Sequence, residues 1–163
     1  MSGYAHNIIK FSDESLQEVK VDLLRLFVEL EGYAVIIIDT TGNIMSWNAG
    51  AQLIYGYSLA EIIEKHISIF YTHDQIAKGQ PWCNLKTARD DGRFETEEWK
   101  YKKNGTAFHA HTIITAMYNI EGKLRGFGII SRDITIQKAL ETENKLLREQ
   151  LEQSSFKKNE ITK

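Results

Sequence analysis

The sequence predicts an α+β fold: one domain in the order β-β-α-α-α-β-β-β, with a further helix at each end. Three observations carry this reading. Runs rich in β-branched and aromatic residues occupy 33–48 and 94–133. Between them lie helix-capping residues and a lone proline at short intervals. Outside them, leucines recur at alternating spacings of three and four.

The N-terminal helix is expected over 13–31, because Leu16, Val19, Leu23, Leu26 and Leu30 form a heptad seam. Ser12 is its N-cap, and Phe11 and Leu16 are placed as a hydrophobic staple. Leu24 and Phe27 lie off the seam and give the helix a second apolar face. Val35, Ile36, Ile37, Ile38 and then Ile44, Met45, Ser46, Trp47 read as a hairpin around residues 39–43. Asn48 caps a short helix reaching Tyr55. Ser58 and Glu61 have capping-box spacing, with Tyr57 and Ile62 as the staple. Residues 66–73 read as irregular. Pro81 opens a helix that runs to about Asp90 and stops at Gly92. Three antiparallel strands follow at 94–102, 106–118 and 123–133, joined at Asn104-Gly105 and at residues 119–122. The last helix, 134–153, carries Gln137, Asn144 and Leu151 at a positions and Leu140, Leu147 and Ser154 at d. Asn144 at an a position favours a parallel, in-register dimer, and Glu143 at g would face Arg148 at e of the partner.

With 163 residues and 42 % hydrophobic content, the chain suffices for one core of about 100–150 residues. The domain boundaries are placed at 1–31, 32–135 and 136–163. A net charge of −2 without a strongly basic half gives no bulk attraction to nucleic acid or to an anionic membrane. The longest apolar run, Ala34 to Ile38, is far short of the ~20 residues that span a bilayer, and no signal-peptide order is present at the start. A soluble, cytoplasmic protein is expected. The single Cys83 fits a reducing compartment.

Several local motifs carry a family resemblance: Trp47-Asn48-Ala49-Gly50-Ala51, Gly56-Tyr57-Ser58 through Glu61-Ile62-Ile63, Ile69-Phe70-Tyr71, Gly92-Arg93-Phe94-Glu95, Asn104-Gly105 and Arg132-Asp133-Ile134-Thr135. Together, over residues 32–135, they resemble bacterial PAS sensor boxes. The resemblance implies the PAS fold, a five-stranded antiparallel sheet with helices on one face, flanked here by coiled-coil helices. It also implies either a small molecule, flavin or haem held between sheet and helices, or an empty module that serves dimerisation. Two positions depart from the pattern. Glu64 follows Ile63 where many such boxes carry Gly, which implies a backbone that need not adopt positive φ. His109 follows Phe108 where related boxes commonly place an aromatic.

Alternation puts Phe108, Ala110, Thr112, Ile114 and Ala116 on one strand face and His109, His111 and Ile113 on the other. By the resemblance, the first set faces the pocket together with Ile129 and Ser131, with Trp47, Phe70 and Trp82 on the helical side. The short helix that would hold a flavin-reactive cysteine corresponds to 66–71 and has none, which speaks against light-driven adduct formation. The cofactor stays open: flavin stacked on Trp82, haem on His66 or His73, another small ligand, or none. Cys83 reads as a buried thiol at a helix start.

His109 and His111 share a face but lack a third metal ligand at ligating spacing, so an outer-face pair beneath the N-terminal helix or a partner chain is expected. Gly126-Phe127-Gly128 lacks the third glycine and following helix of a dinucleotide fingerprint, and no nucleophile elbow or HExxH appears, so no catalysis is expected. Lys100, Tyr101, Lys102 and Lys103 beside the turn read as a solvated loop rather than a nucleic-acid patch. The expected role is that of a sensory module in a two-component system that binds a small ligand or cofactor in its core and relays its state, with a ligand-free dimerisation and interaction module as the alternative. The chain would act as a homodimer through its flanking helices, and any output domain, such as a histidine kinase or diguanylate cyclase, would lie beyond Lys163.

Overall fold

The computed structural model of the chain describes residues 21–23, 25, 26 and 32–161, with 154–161 in backbone alone. Strands β1 (Ala34–Ile38) and β2 (Ile44–Trp47) form the expected hairpin. Its turn is closed by Asp39, whose carboxylate accepts from the backbone nitrogens of Thr41 (2.8 Å) and Asn43 (2.9 Å) and from both their side chains. Burial alone would raise the Asp39 pKa, but these bonds outweigh it and hold the group at about 2.

Helix α1 (Ala49–Tyr55) starts where predicted. Asn48 Oδ1 accepts from Ala51 N at 2.8 Å and also from Val35 N at 2.9 Å, so one cap ties the helix to β1. Helix α2 (Leu59–Ile62) begins with the Ser58–Glu61 capping box. The stretch expected to be irregular holds two short helices instead: a 3-10 turn, Ile67–Phe70, and α3, His73–Ala77. The overlooked signal is a second capping box, in which Thr72 Oγ1 accepts from Gln75 N and Gln75 Oε1 accepts from Thr72 N, each at 2.9 Å. Helix α4 (Gln80–Asp91) has Pro81 in its first turn and ends at Gly92, where φ is 82°.

Strands β3 (Arg93–Tyr101), β4 (Ala107–Tyr118) and β5 (Leu124–Asp133) lie within a residue of expectation at each end. The sheet order is β2-β1-β5-β4-β3, antiparallel throughout. Gly126 is needed where β5 passes the end of β1, because a Cβ there would sit 2.1 Å from the carbonyl oxygen of Ile38.

Helix α5 (Thr135–Ile161) leaves the sheet directly after β5. Leu140, Leu147 and Leu151 of its predicted seam are exposed in the single chain. Of the N-terminal helix, residues 21–23, 25 and 26 are helical, with Leu23 and Leu26 exposed. Ser12, Phe11, Leu16, Val19, Leu24, Phe27 and Leu30, and the side chain of Ser154, lie outside the described residues.

One backbone expectation is overturned. Glu64 has φ 65°, and it is the sole non-glycine residue with positive φ among those described. The turn between α2 and the 3-10 helix demands it. Glu64 N donates to Ile44 O (2.9 Å), Lys65 N to Ile62 O (3.0 Å) and Ile44 N to Lys65 O (2.9 Å), and together these bonds fix a left-handed residue at this position whatever its side chain.

Candidate functional site

The inner face of β4 and β5 carries the predicted wall. Phe108, Ala110, Thr112, Ile114, Ile129 and Ser131 are all buried, while Ala116 is partly buried. Aromatic rings cover the wall. Trp47 stacks on Phe70 at 5.8 Å, Tyr55 lies 4.3 Å from Phe70, and Phe108 meets Tyr55 edge-on at 5.3 Å. The two hydroxyls in the wall have partners: Ser131 Oγ lies 3.0 Å from Thr112 Oγ1 and accepts from the Tyr55 hydroxyl at 3.3 Å. Burial pushes the Tyr55 phenol up to about 12, so it remains a neutral donor.

Trp82 does not join this wall. It is 49 % exposed on the outer side of α4, where it stacks on His66 with ring centroids 5.5 Å apart. The reason is helical phase: Leu85 and Ala88 carry the buried face of α4, and Trp82 and Cys83 lie off it. Trp82 is therefore not placed to stack on a ring held against the inner wall. Cys83, expected to be buried, is exposed. Neither candidate axial histidine fits a haem. His66 Nδ1 accepts from Ser68 N at 3.1 Å, which assigns the proton to Nε2, 3.0 Å from the Thr41 carbonyl; His73 is exposed.

A second part of the inner layer was not legible in advance. Inward positions of β3 are Phe94, Thr96, Glu98 and Lys100, opposite Ile114, Thr112, Ala110 and Phe108. Lys100, read as part of a solvated loop, is 2 % exposed. Its ammonium lies 2.7 Å from Glu98 Oε1 and 3.0 Å from the Tyr71 ring centroid. Asn84 Nδ2 donates to Glu98 Oε1 (3.2 Å) and to the Tyr71 hydroxyl (3.3 Å), Gln75 Nε2 to Glu98 Oε2 (3.4 Å), and Gln80 Nε2 to Asn84 Oδ1 (3.0 Å). Burial is the main influence on the Lys100 amine and pulls it down to about 8, with Glu98 offsetting part of the effect. The Tyr71 phenol is pushed well above its ordinary value by burial and then by the Glu98 charge. Register would have revealed this cluster, since the Asn104-Gly105 turn sets Lys100 opposite inward-facing Phe108.

The wall continues into the exit helix. Two residues after Ser131, Asp133 Oδ1 accepts from Thr135 N (3.0 Å) and Thr135 Oγ1 (2.6 Å), and Oδ2 accepts from Lys102 Nζ (3.0 Å). Burial opposes ionisation of Asp133, but the Thr135 and Lys102 bonds outweigh it and hold the carboxyl below its usual range. His109 N donates to Thr135 Oγ1 (2.9 Å), and Ile134 N donates to His109 O (2.8 Å). Lys138 pairs with Glu97 at 2.6 Å. The root of α5 is thus bonded to β3, β4 and the β3–β4 turn. On the outer face, His109 meets Trp99 edge-on at 5.0 Å and His111 pairs with Glu95 at 2.6 Å, so the two histidines share a face but take separate partners.

Two clefts open at the edges of the helical layer. One, about 510 Å³, lies between the β1–β2 turn (Thr40, Thr41), α4 (Trp82, Leu85, Arg89) and Phe127. The other, about 490 Å³, lies between the end of α1 and the β3–β4 turn at Lys102 and Lys103. Neither is lined by Ala110, Thr112, Ile114 or Ser131. Among the described residues, no helix is long and apolar enough to cross a membrane.

Comparison with known proteins agrees with this architecture. The chain is 39 % identical over 112 residues to Two-component system protein A of Emericella nidulans, a match that covers 69 % of this chain and 16 % of the length of that protein. The crystal structure of the PAS domain of a protein from Colwellia psychrerythraea superposes with a TM-score of 0.67 at 20 % identity, over 72 % of this chain and 98 % of that one. The PAS domain of an HTR-like protein from Haloarcula marismortui does so with 0.57 at 23 %, over 74 % and 96 %. Both likenesses are to the fold. A family model described as PAS domain matches residues 32–135. The five-stranded antiparallel sheet, the helices on its inner face and that match together place this chain in the PAS domain family.

Proposed function

We propose that this domain is a non-catalytic signal-relay module of a two-component-type protein. It passes the state of its sheet through α5 to an output domain, such as a histidine kinase or diguanylate cyclase, as a parallel homodimer in the cytoplasm. The observation that carries the reading is the clamp at Asp133, Ile134 and Thr135. It joins the last residues of the inner wall to the first turn of α5, so a shift of β4 or β5 must be accommodated at the helix root. The resemblance to a two-component protein supports the setting. The exposed leucines of α5, with Gln137 and Asn144 in register, support the dimer.

The aromatic cover of the inner wall favours a domain that works without a ligand in its centre. A second reading, a small ligand entering from the edge, is supported by the cleft beside Phe127, whose size suits one.

Light scattering on the full chain and on a Leu140→Glu, Leu147→Glu variant at tens of micromolar tests the relay geometry. The expected result is a dimer that becomes a monomer in the variant, with the melting transition of the domain retained. A parent chain that is already monomeric would remove the coil from the mechanism.

A further inference from the structure

We propose that Glu98 is a latch carboxylate that holds α3 and α4 closed over β3, and that release of this latch is coupled to proton uptake by the amine of Lys100. Three elements meet at this one group. Glu98 receives Lys100 from its own strand, Asn84 from α4 and Gln75 from α3. The Lys100–Glu98 pair has side chains 3 % and 12 % exposed, and no other ion pair among the described residues is buried as deeply. The groups that touch the pair are otherwise neutral, and beyond them the Tyr55 phenol senses both Glu98 and the Asp133 carboxylate, which Lys102 pairs. Tyr71 faces the ammonium from the segment before α3, Asn84 and Gln80 come from α4, Gln75 from α3, and Phe108 lies across on β4. Glu98 is the one anion in this set, and Tyr71 stays un-ionised because its phenol is pushed up.

The sign of the coupling follows from which arrangement holds the proton more tightly. Closed, Lys100 is stripped of water and titrates at about 8. Open, the amine regains water and its ordinary value of 10.5. The open arrangement therefore has the higher proton affinity, and protonation favours opening. As pH rises from about 8 towards 10.5 the closed arrangement gains; below about 8 both arrangements carry the proton and the balance is level. The inference stands apart from dimerisation and from any ligand, since every group in it lies within one chain.

Amide hydrogen exchange on the full chain tests it, with rates corrected for intrinsic exchange and β1 and β5 as reference. Between about pH 7 and about pH 9.5, protection of α3 and α4 relative to the reference should rise roughly twentyfold in the parent, and stay level in Lys100→Met. At neutral pH, Glu98→Gln should cut protection of α3 and α4 roughly tenfold or more, because it leaves the amine buried without its counter-charge. Adding Lys100→Met to Glu98→Gln should restore it. A parent whose α3 and α4 protection does not move with pH, or moves equally in Lys100→Met, would overturn the proposal. So would a Glu98→Gln protein that loosens β1 and β5 as much as α3 and α4. If Glu98→Gln does not fold, Lys100→Met and the double variant still decide, since a double variant that keeps the parent's pH response is incompatible with the latch.

Discussion

The inner layer of this domain is closed in two different ways. Over β4 and β5, rings close it: Trp47, Tyr55, Phe70 and Phe108 pack on small and aliphatic residues, with two hydroxyls that satisfy each other. Over β3, a charge closes it: Glu98 gathers an ammonium and two amides under the Tyr71 ring. The first kind of closure tolerates no added volume but has little to lose electrostatically. The second depends on every partner being present, because a buried ion pair recovers its desolvation cost only when its remaining hydrogen-bonding groups are satisfied. The contrast puts rigidity next to the exit helix and places the responsive part of the layer at α3 and α4.

The largest effect should come from the ring-closed half. Ala110 has no exposed surface and lies between Glu98 of β3 and Asp133 of β5 in the sheet. Ala110→Trp should cost about 1–3 kcal/mol or more, up to loss of folding, because the side chain is fully buried and an indole must displace its packed neighbours. Thermal melting of the purified variant checks this. A melting temperature near the parent's would mean the centre can open to admit a ligand-sized group, and the ligand-holding reading would then lead. A matched pair of smaller changes sharpens the contrast between the halves. Asn84→Leu removes donors to Glu98 and to Tyr71 together and should cost about 1–3 kcal/mol, as expected when buried partners are left unmet. Tyr55→Phe should cost less, about 0.5–1.5 kcal/mol, because Ser131 keeps Thr112. Denaturant unfolding of both would reverse the assignment of the two halves if Tyr55→Phe proved the costlier.

The difference in closure also explains what could be read from the sequence. Strand β4 alternates cleanly, with Phe108, Ala110, Thr112 and Ile114 buried between partly exposed neighbours, so the wall it forms was legible. Strand β3 has the same parity, but its inward positions include Glu98 and Lys100. Residue type alone assigns these to solvent, and only cross-strand register turns them inward. Trp82 misled in the opposite direction. A large aromatic at a helix start looks like core, yet the apolar phase of α4 runs through Leu85 and Ala88, and Trp82 is left to stack on His66. The capping boxes at Ser58 and Thr72 have the same physics and spacing, so the helix at Thr72 was as legible as the one at Ser58. At Glu64 residue type pointed away from positive φ, but the backbone bonds around the turn impose it.

Glu64 also offers the smallest and cleanest test, at the turn that leads from the ring-closed half towards the charge-closed one. Its φ of 65° is set by backbone bonds that Ile44, Ile62 and Lys65 make around it, and its side chain is exposed. A residue with a Cβ pays roughly 1–2 kcal/mol in that conformation, whereas glycine is free to adopt it. Part of the gain from a glycine is lost because the unfolded chain becomes more flexible, so the net stabilisation for Glu64→Gly should be about 0.5–1 kcal/mol. Glu64→Ala separates backbone from charge, since it removes the carboxylate and keeps the Cβ. Denaturant midpoints should therefore rise for Glu64→Gly and stay near the parent for Glu64→Ala. Equal rises in the two variants would assign the effect to the lost charge. A fall for Glu64→Gly alone would mean that the added freedom of the unfolded chain outweighs the relief of the strained backbone, whereas a fall in both variants would mean that the exposed carboxylate stabilises this turn.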